Sequence, residues 1–400
     1  MELLLAFAVT LVIAVLVSGL AEQTVLSVAV LFLVSGFLLG IGSFGSIHEL
    51  DPHLLQRIAE LALYSVLFTD GMKTGGIHQV GSFWRLPSRA LLIGMPLTIG
   101  GIAVLAHYMA GLDWARGFLL GAALSPTDPV FVAAIFRFEA VPDRVKRLLN
   151  IESGLNDGLA LPPVMLLLAY TGVRGVGLAR TIEELALGIA IGFAVPWICI
   201  RLEKTRLFRA SGLFHPLNAF ALGLLVLAAC YLTGANLFLA AFGAGISVAT
   251  FGPSFTESFR EFGQLVTELL KLAALLLFGA VIAPRFFTPL PGVQYVFIAL
   301  AVFAVRPLVI WLSLLGSQLT RQESLLAGWF GPKGFASVIY GLLIYEGGLP
   351  HMGHLIGLAV AASIVVYSSS DILIGRWFQR RVAGEESPLN RSGTESKPQP

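Results

Sequence analysis

Apolar positions in this chain come in long, nearly unbroken runs separated by short polar turns. A bilayer core of roughly 30 Å is crossed by about 20 apolar residues as a helix. Thirteen runs of about that length follow one another, at about 2–20, 25–43, 54–71, 88–110, 114–137, 147–170, 182–201, 216–233, 235–251, 262–283, 293–315, 323–345 and 352–374. The eighth and ninth meet at a tight TGAN turn, residues 233–236. The pattern predicts an all-α polytopic membrane protein with about 13 transmembrane helices. The first run resembles a secretory signal, but Glu2 stands where a positive leader would need Lys or Arg, and the run is too long for one. It reads as the first span. Residues 376–400 are polar and rich in Pro and Ser, and read as a disordered cytoplasmic tail.

Composition agrees with lipid as the solvent. Of 400 residues, 56% are hydrophobic and 12% charged, against about a quarter charged in soluble chains. A net charge of +2 gives no basic surface for nucleic acid. Cys199 and Cys230 are too few for a disulfide framework and read as packing residues. Basic residues are asymmetric. The segments after odd-numbered spans, with the C-terminal tail, hold 18 of the 26 Lys and Arg, and the opposite face holds five, Arg57, Arg116, Arg174, Arg180 and Arg285. The positive-inside rule then predicts an external N-terminus and a cytoplasmic C-terminus. Three basic residues, Lys271, Arg306 and Lys333, fall inside spans. Lys271 lies three residues after Glu268 near the start of the tenth span, and the two read as a snorkelling pair.

Ionisable groups within a bilayer cost roughly 2.5–3.5 kcal/mol each on insertion scales, so they persist where they pair or function. Three spans concentrate them. In the fifth, LSPTDPVFVAAI places Thr127 and Asp128 between Pro126 and Pro129. Two prolines three residues apart unwind the helix and free carbonyl oxygens, which is tolerated at that depth only beside a cavity or within protein. In the sixth, IESGLNDGLALPPV puts Ser153 and Asp157 on one helix face and Glu152 and Asn156 on the adjoining one. In the twelfth, Gly331, Pro332 and Gly334 break the helix around Lys333. The twelfth span follows the fifth by seven, an odd number, so the two run in opposite directions. Interrupted spans at matching positions of inverted halves point to a transporter's midplane site, and spans 2–7 and 8–13 read as inverted repeats.

TDPV at 127–130, ESGLND at 152–157, RPL at 306–308 and GPKG at 331–334 resemble the NhaP-type sodium/proton antiporters of the monovalent cation/proton antiporter family, over about residues 1–375. The resemblance implies a homodimer whose protomers carry a core domain (spans about 88–170 and 293–374), a dimerisation domain (about 2–71 and 216–283) and a linker helix at about 182–201. The broken fifth and twelfth helices would cross beside the ion site. Asp157 is implied to bind the transported Na⁺ or H⁺, with Thr127 and Ser153 as oxygen ligands and Asp128 acting through the crossing or a water. Glu152 and Arg306 are implied to form a structural ion pair. Lys333 departs from the Arg common at its position, and Glu152 or a broken-helix carbonyl is its candidate partner. Asp70, in LFTDGMK, either matches an acidic residue of the family or is a helix-end carboxylate.

A buried carboxyl group loses hydration when charged, and a nearby cation offsets that loss. A proton and a hard monovalent cation therefore compete for Asp157, and a site that crosses the membrane only when neutral exchanges one for the other. Asn156 carries no charge, which predicts electroneutral 1:1 exchange of Na⁺ or Li⁺ for H⁺ across a cell inner membrane, with no cofactor. K⁺/H⁺ exchange is the alternative within this reading. A channel or symporter is the alternative outside it, although one titratable carboxylate does not make the ligand rings of a channel. Intramembrane proteolysis would need GxGD or GxSG, and neither occurs. GIGSFG at 40–45 ends a membrane run and lacks the βαβ context of a nucleotide loop. The histidines do not cluster as metal ligands: His351 and His354 read as a surface pair in an external turn, and His107, His48 and His53 as interfacial residues.

Overall fold

A computed structural model describes residues 2–21, 28–41, 52–74, 84–128, 141–173, 175–205, 215–286 and 289–386. Within them the chain is helical, and extended pairing is confined to one isolated antiparallel bridge between Thr127 and Lys333. In chain order the helices are α1 (Glu2–Ala21), α2 (Val28–Ile41), α3 (Pro52–Lys73), α4 (Arg85–Arg89) and α5 (Met95–Ala110). They continue with α6 (Trp114–Ala123), α7 (Asp143–Tyr170), α8 (Leu178–Glu203), α9 (His215–Thr233), α10 (Leu237–Phe251) and α11 (Pro253–Phe286). The last are α12 (Gly292–Phe303), α13 (Val305–Ser313), α14 (Arg321–Trp329), α15 (Phe335–Glu346) and α16 (Pro350–Glu386). Where they are described, the predicted apolar runs fall on these helices; of the fifth, 114–123 form α6 and 129–137 lie outside the described residues. Five helical stretches among the described residues, Arg85–Ala110, Leu178–Glu203, Gly263–Ala280, Gly292–Ser313 and Pro350–Ser370, are long and apolar enough to cross a membrane.

Local chemistry explains several boundaries. Asp113 caps α6 by accepting from the Arg116 amide at 2.9 Å. The α14 start carries a full capping box, Thr320 with Glu323. Glu323 also takes both arms of Arg144 at 2.6 Å, which ties the start of α7 to the start of α14. Between α4 and α5 the helix widens into a π turn, Ala90–Gly94. Pro96, just beyond it, has no N–H to offer the preceding turn and crowds its carbonyls, the condition that favours such a bulge.

Close crossings use glycine. Gly71 of α3 and Gly245 of α10 face each other; a Cβ on Gly71 would lie 2.5 Å from the Phe242 carbonyl oxygen. α2 packs along α11, α10 lies between α3 and α8, and α6, α12 and α15 pack on α5, α16 and one another's neighbours. α7 touches α3, α6, α8, α10, α14 and α15, and the polar residues in its middle, Glu152, Ser153, Asn156 and Asp157, are buried.

Three expectations need correction. α16 continues to Glu386, so residues 376–386 are helical rather than tail, because RWFQRRVA offers good helix formers and no breaker before Gly384; residues 387–400 lie outside the described set. His351 and His354 stand at the start of α16 rather than in a turn: His351 is exposed, within 3.3 Å of Gln294 Nε2, but His354 is buried and not a surface residue. Lys271 does not snorkel. It is 6% exposed and turned inward. Residues 42–45, His48, Pro129 and the second half of the fifth run lie outside the described residues, as does the side chain of His53.

Candidate ion-binding site

The fifth and twelfth runs both break where the sequence places Pro and Gly. α6 ends at Ala123, and Ser125 to Asp128 continue unwound; α14 ends at Trp329, and α15 begins only at Phe335. The two unwound segments meet. The Asp128 amide donates to the Pro332 carbonyl at 3.1 Å, and the Gly334 amide donates to the Pro126 carbonyl at 3.4 Å. This short antiparallel contact satisfies main-chain groups that the prolines deprived of helical partners. It also fixes Thr127 opposite Lys333.

Against this crossing lies α7. Asn156 donates from Nδ2 to the Thr127 hydroxyl at 2.7 Å. Asp157 follows it, 2% exposed, and among the described residues its Oδ1 has no hydrogen-bond partner; the Asn156 Oδ1 has none either. Ser153, also buried, donates to the Asn150 carbonyl at 3.2 Å, which leaves the lone pairs of its oxygen available. Pro162 and Pro163 lie inside α7 just beyond this group. Each lacks the N–H that would bind the carbonyl four residues back, so the Gly158 and Leu159 carbonyls, just after Asp157, lose their helical donors. The Tyr340 hydroxyl, on α15, donates to the Asp157 carbonyl at 2.9 Å and ties α7 to the twelfth run. Oxygens unsatisfied at this depth are costly unless a cation or proton visits them.

Two ion pairs flank the site. Arg306 on α13 binds Glu152 through both guanidinium arms, at 2.8 and 2.9 Å, with both side chains buried. The same guanidinium reaches the Phe330 carbonyl at 3.4 Å, at the C-terminal end of α14, where a cation offsets the helix dipole. The second pair was not foreseen: Lys271 on α11 places Nζ 2.8 Å from Asp128 Oδ2, both nearly buried. An ammonium in the middle of LLKLAALLLFGA is an intramembrane charge, and that signal alone points to a functional partner. Neither candidate partner of the Lys333 ammonium binds it: the side chain is fully buried, and Nζ makes no hydrogen bond among the described residues. Its main-chain amide donates to Ser363 on α16 at 2.7 Å. Asp70, at the end of α3, pairs with Lys73 at 2.8 Å.

A helical membrane protein with a buried carboxylate at the meeting of two interrupted helices is, as a class, a secondary ion transporter. This chain belongs to the sodium/hydrogen exchanger transmembrane family, which it matches over residues 7–379. It is a multi-pass membrane antiporter of cations and protons. The K(+)/H(+) antiporter NhaP2 of Shewanella sp. (strain MR-4) is 27% identical to it over 398 residues, covering 96% of this chain and 68% of the relative. The K(+)/H(+) antiporter NhaP of Alkalimonas amylolytica is 27% identical over 399 residues, with the same coverage. The fold is that of the sodium proton antiporter MjNhaP1 from Methanocaldococcus jannaschii, with a TM-score of 0.71 at 19% identity over 94% of this chain and 100% of that one.

Proposed function

We propose that this chain exchanges one Na⁺ for one H⁺ across a cell inner membrane, by alternating access at Asp157. The observation that carries this reading is the enclosed Asp157 carboxylate with an unpartnered oxygen, set beside Thr127 and Ser153. Carboxylate, hydroxyl and carbonyl oxygens suit a hard monovalent cation. Na⁺ is held by Asp157, Thr127 and Ser153, with Asn156 fixing the Thr127 hydroxyl. A proton on Asp157 and a cation on Asp157 neutralise the same charge, so they exclude each other, and either one lets the site move through the apolar barrier. Glu152 and Arg306 brace α7 against α13 and take no part in binding. Asp128, read at first as an assisting ligand, is engaged by Lys271 and acts on the cation through the field of that pair. α5–α7 with α12–α16 form the moving core, α1–α3 with α9–α11 the face that pairs in a homodimer, and α8 the link. The N-terminus is external and the C-terminus cytoplasmic, in keeping with the distribution of Lys and Arg.

K⁺ in place of Na⁺ is the second reading, and it is supported by the K⁺/H⁺ assignment in the names of the two relatives above. Proton-gradient dequenching in inverted vesicles, with Na⁺, Li⁺ and K⁺ added in turn, decides between them. The Asp157→Asn variant is expected to assemble and to exchange none of the three. Exchange that survives this substitution would sink the assignment of the site.

A further inference from the structure

We infer that Lys271 sets the valence of the transported ion: its ammonium occupies Asp128 as a tethered monovalent cation, and the remaining charge accepts one monovalent ion and rejects divalent ones. This rests on Asp157 being the transport site. The charged groups that act most strongly on Asp157 are Asp70, Asp128, Lys271 and Lys73. Both lysines are committed, Lys73 to Asp70 at 2.8 Å and Lys271 to Asp128 at 2.8 Å. Three carboxylates and two ammonium groups leave a single negative charge. Glu268, one turn before Lys271 on α11 and half-buried, acts on Lys271 and acts less on Asp157 than those four groups do. Of the other buried charges among the described residues, Arg306 binds Glu152 and both act on Lys333, while Glu323 is paired with Arg144.

Geometry makes Lys271 more than a neighbour. It reaches Asp128 from α11, whereas Asp128 sits on the unwound segment after α6. Asp128 adjoins Thr127, whose hydroxyl Asn156 holds beside Asp157. Removing the ammonium leaves Asp128 as a second buried, uncompensated carboxylate whose field acts on Asp157. Two carboxylates with hydroxyl and carbonyl oxygens make a donor set for Ca²⁺ or Mn²⁺. A buried charge is not screened by salt as a surface charge is, so the change in valence preference is large.

The experiment uses full-length protein with Lys271→Met, Lys271→Gln and Lys271→Arg, beside wild type and Asp157→Asn. In proteoliposomes, Na⁺-driven proton flux is measured against added Ca²⁺ and Mn²⁺. In detergent, the same two ions are tested for a rise in the thermal unfolding midpoint. Wild type and Lys271→Arg are expected to ignore millimolar divalent ions in both measurements. Lys271→Met and Lys271→Gln are expected to be inhibited and stabilised by them, with affinity raised at least about tenfold. Neutral variants as indifferent to divalent ions as wild type would overturn the inference. If neither neutral variant folds, Asp128→Asn combined with Lys271→Met buries no unpaired charge. This double variant is expected to ignore divalent ions like wild type, and divalent binding by it would equally overturn the inference. The detergent measurement does not depend on transport. Proton flux that survives Asp157→Asn therefore sinks the proposed function, while divalent binding still reports on Lys271 separately.

Discussion

Glu152 and Arg306 show how a buried charge pair behaves at the scale of single residues. Each is almost fully buried, and two parallel hydrogen bonds join them. Removing one partner strands the other in a medium that cannot hydrate it, at a cost of about 3–5 kcal/mol. Glu152→Gln and Arg306→Met are each expected to lower stability by that amount, read as the shift in unfolding midpoint of detergent-purified protein. The double variant should recover more than half of the loss, since no lone charge remains. Single variants as stable as wild type would mean that the pair is open to water. The partners were legible in the sequence only through the motifs that carry them, because nothing in the spacing of residues 152 and 306 brings them together. Lys271 was misread for a related reason. Its neighbour Glu268 offered a local partner, and the true one, Asp128, is remote in sequence and brought near only by tertiary packing.

Helix interruption was the most legible feature at the scale of elements. Pro126, Gly331, Pro332 and Gly334 act through their own backbone chemistry, and the structure unwinds at each. The need for glycine at 331 is a different matter and emerges only in three dimensions. A Cβ there would overlap the Arg306 guanidinium, so the break in the twelfth run doubles as the seat of that side chain. Gly331→Ala is expected to push Arg306 off Glu152 and to cut the initial rate of cation-driven proton flux at least about tenfold, an overpacking cost on the order of 1–3 kcal/mol. An unaltered rate would show that Arg306 can be seated elsewhere without consequence. The π turn at Ala90–Gly94 and the long extension of α16 escaped the sequence reading because hydropathy registers length and polarity, not the pitch of a helix or the point where it leaves lipid.

For the whole molecule, the decisive quantity is the charge that moves with each turnover. Asn156 is neutral, Glu152 and Arg306 cancel, and Lys271 holds Asp128, so on the proposed function Asp157 alone changes partner between a cation and a proton. The moving site then bears the same charge on both strokes, and the membrane potential neither drives nor opposes exchange. If one net charge moved instead, 100 mV would contribute about 2.3 kcal/mol, which is about a fifty-fold bias in the ion ratio at equilibrium. Proteoliposomes with equal K⁺ on both faces separate the two cases, because valinomycin then shunts any potential without imposing a K⁺ gradient. The Na⁺-driven proton flux is expected to be the same with and without valinomycin. Acceleration by valinomycin would mean that a second charge crosses with the cation. The group to suspect is then the Asp128–Lys271 pair, since it joins α11 to the unwound segment after α6 and could open as those runs move apart.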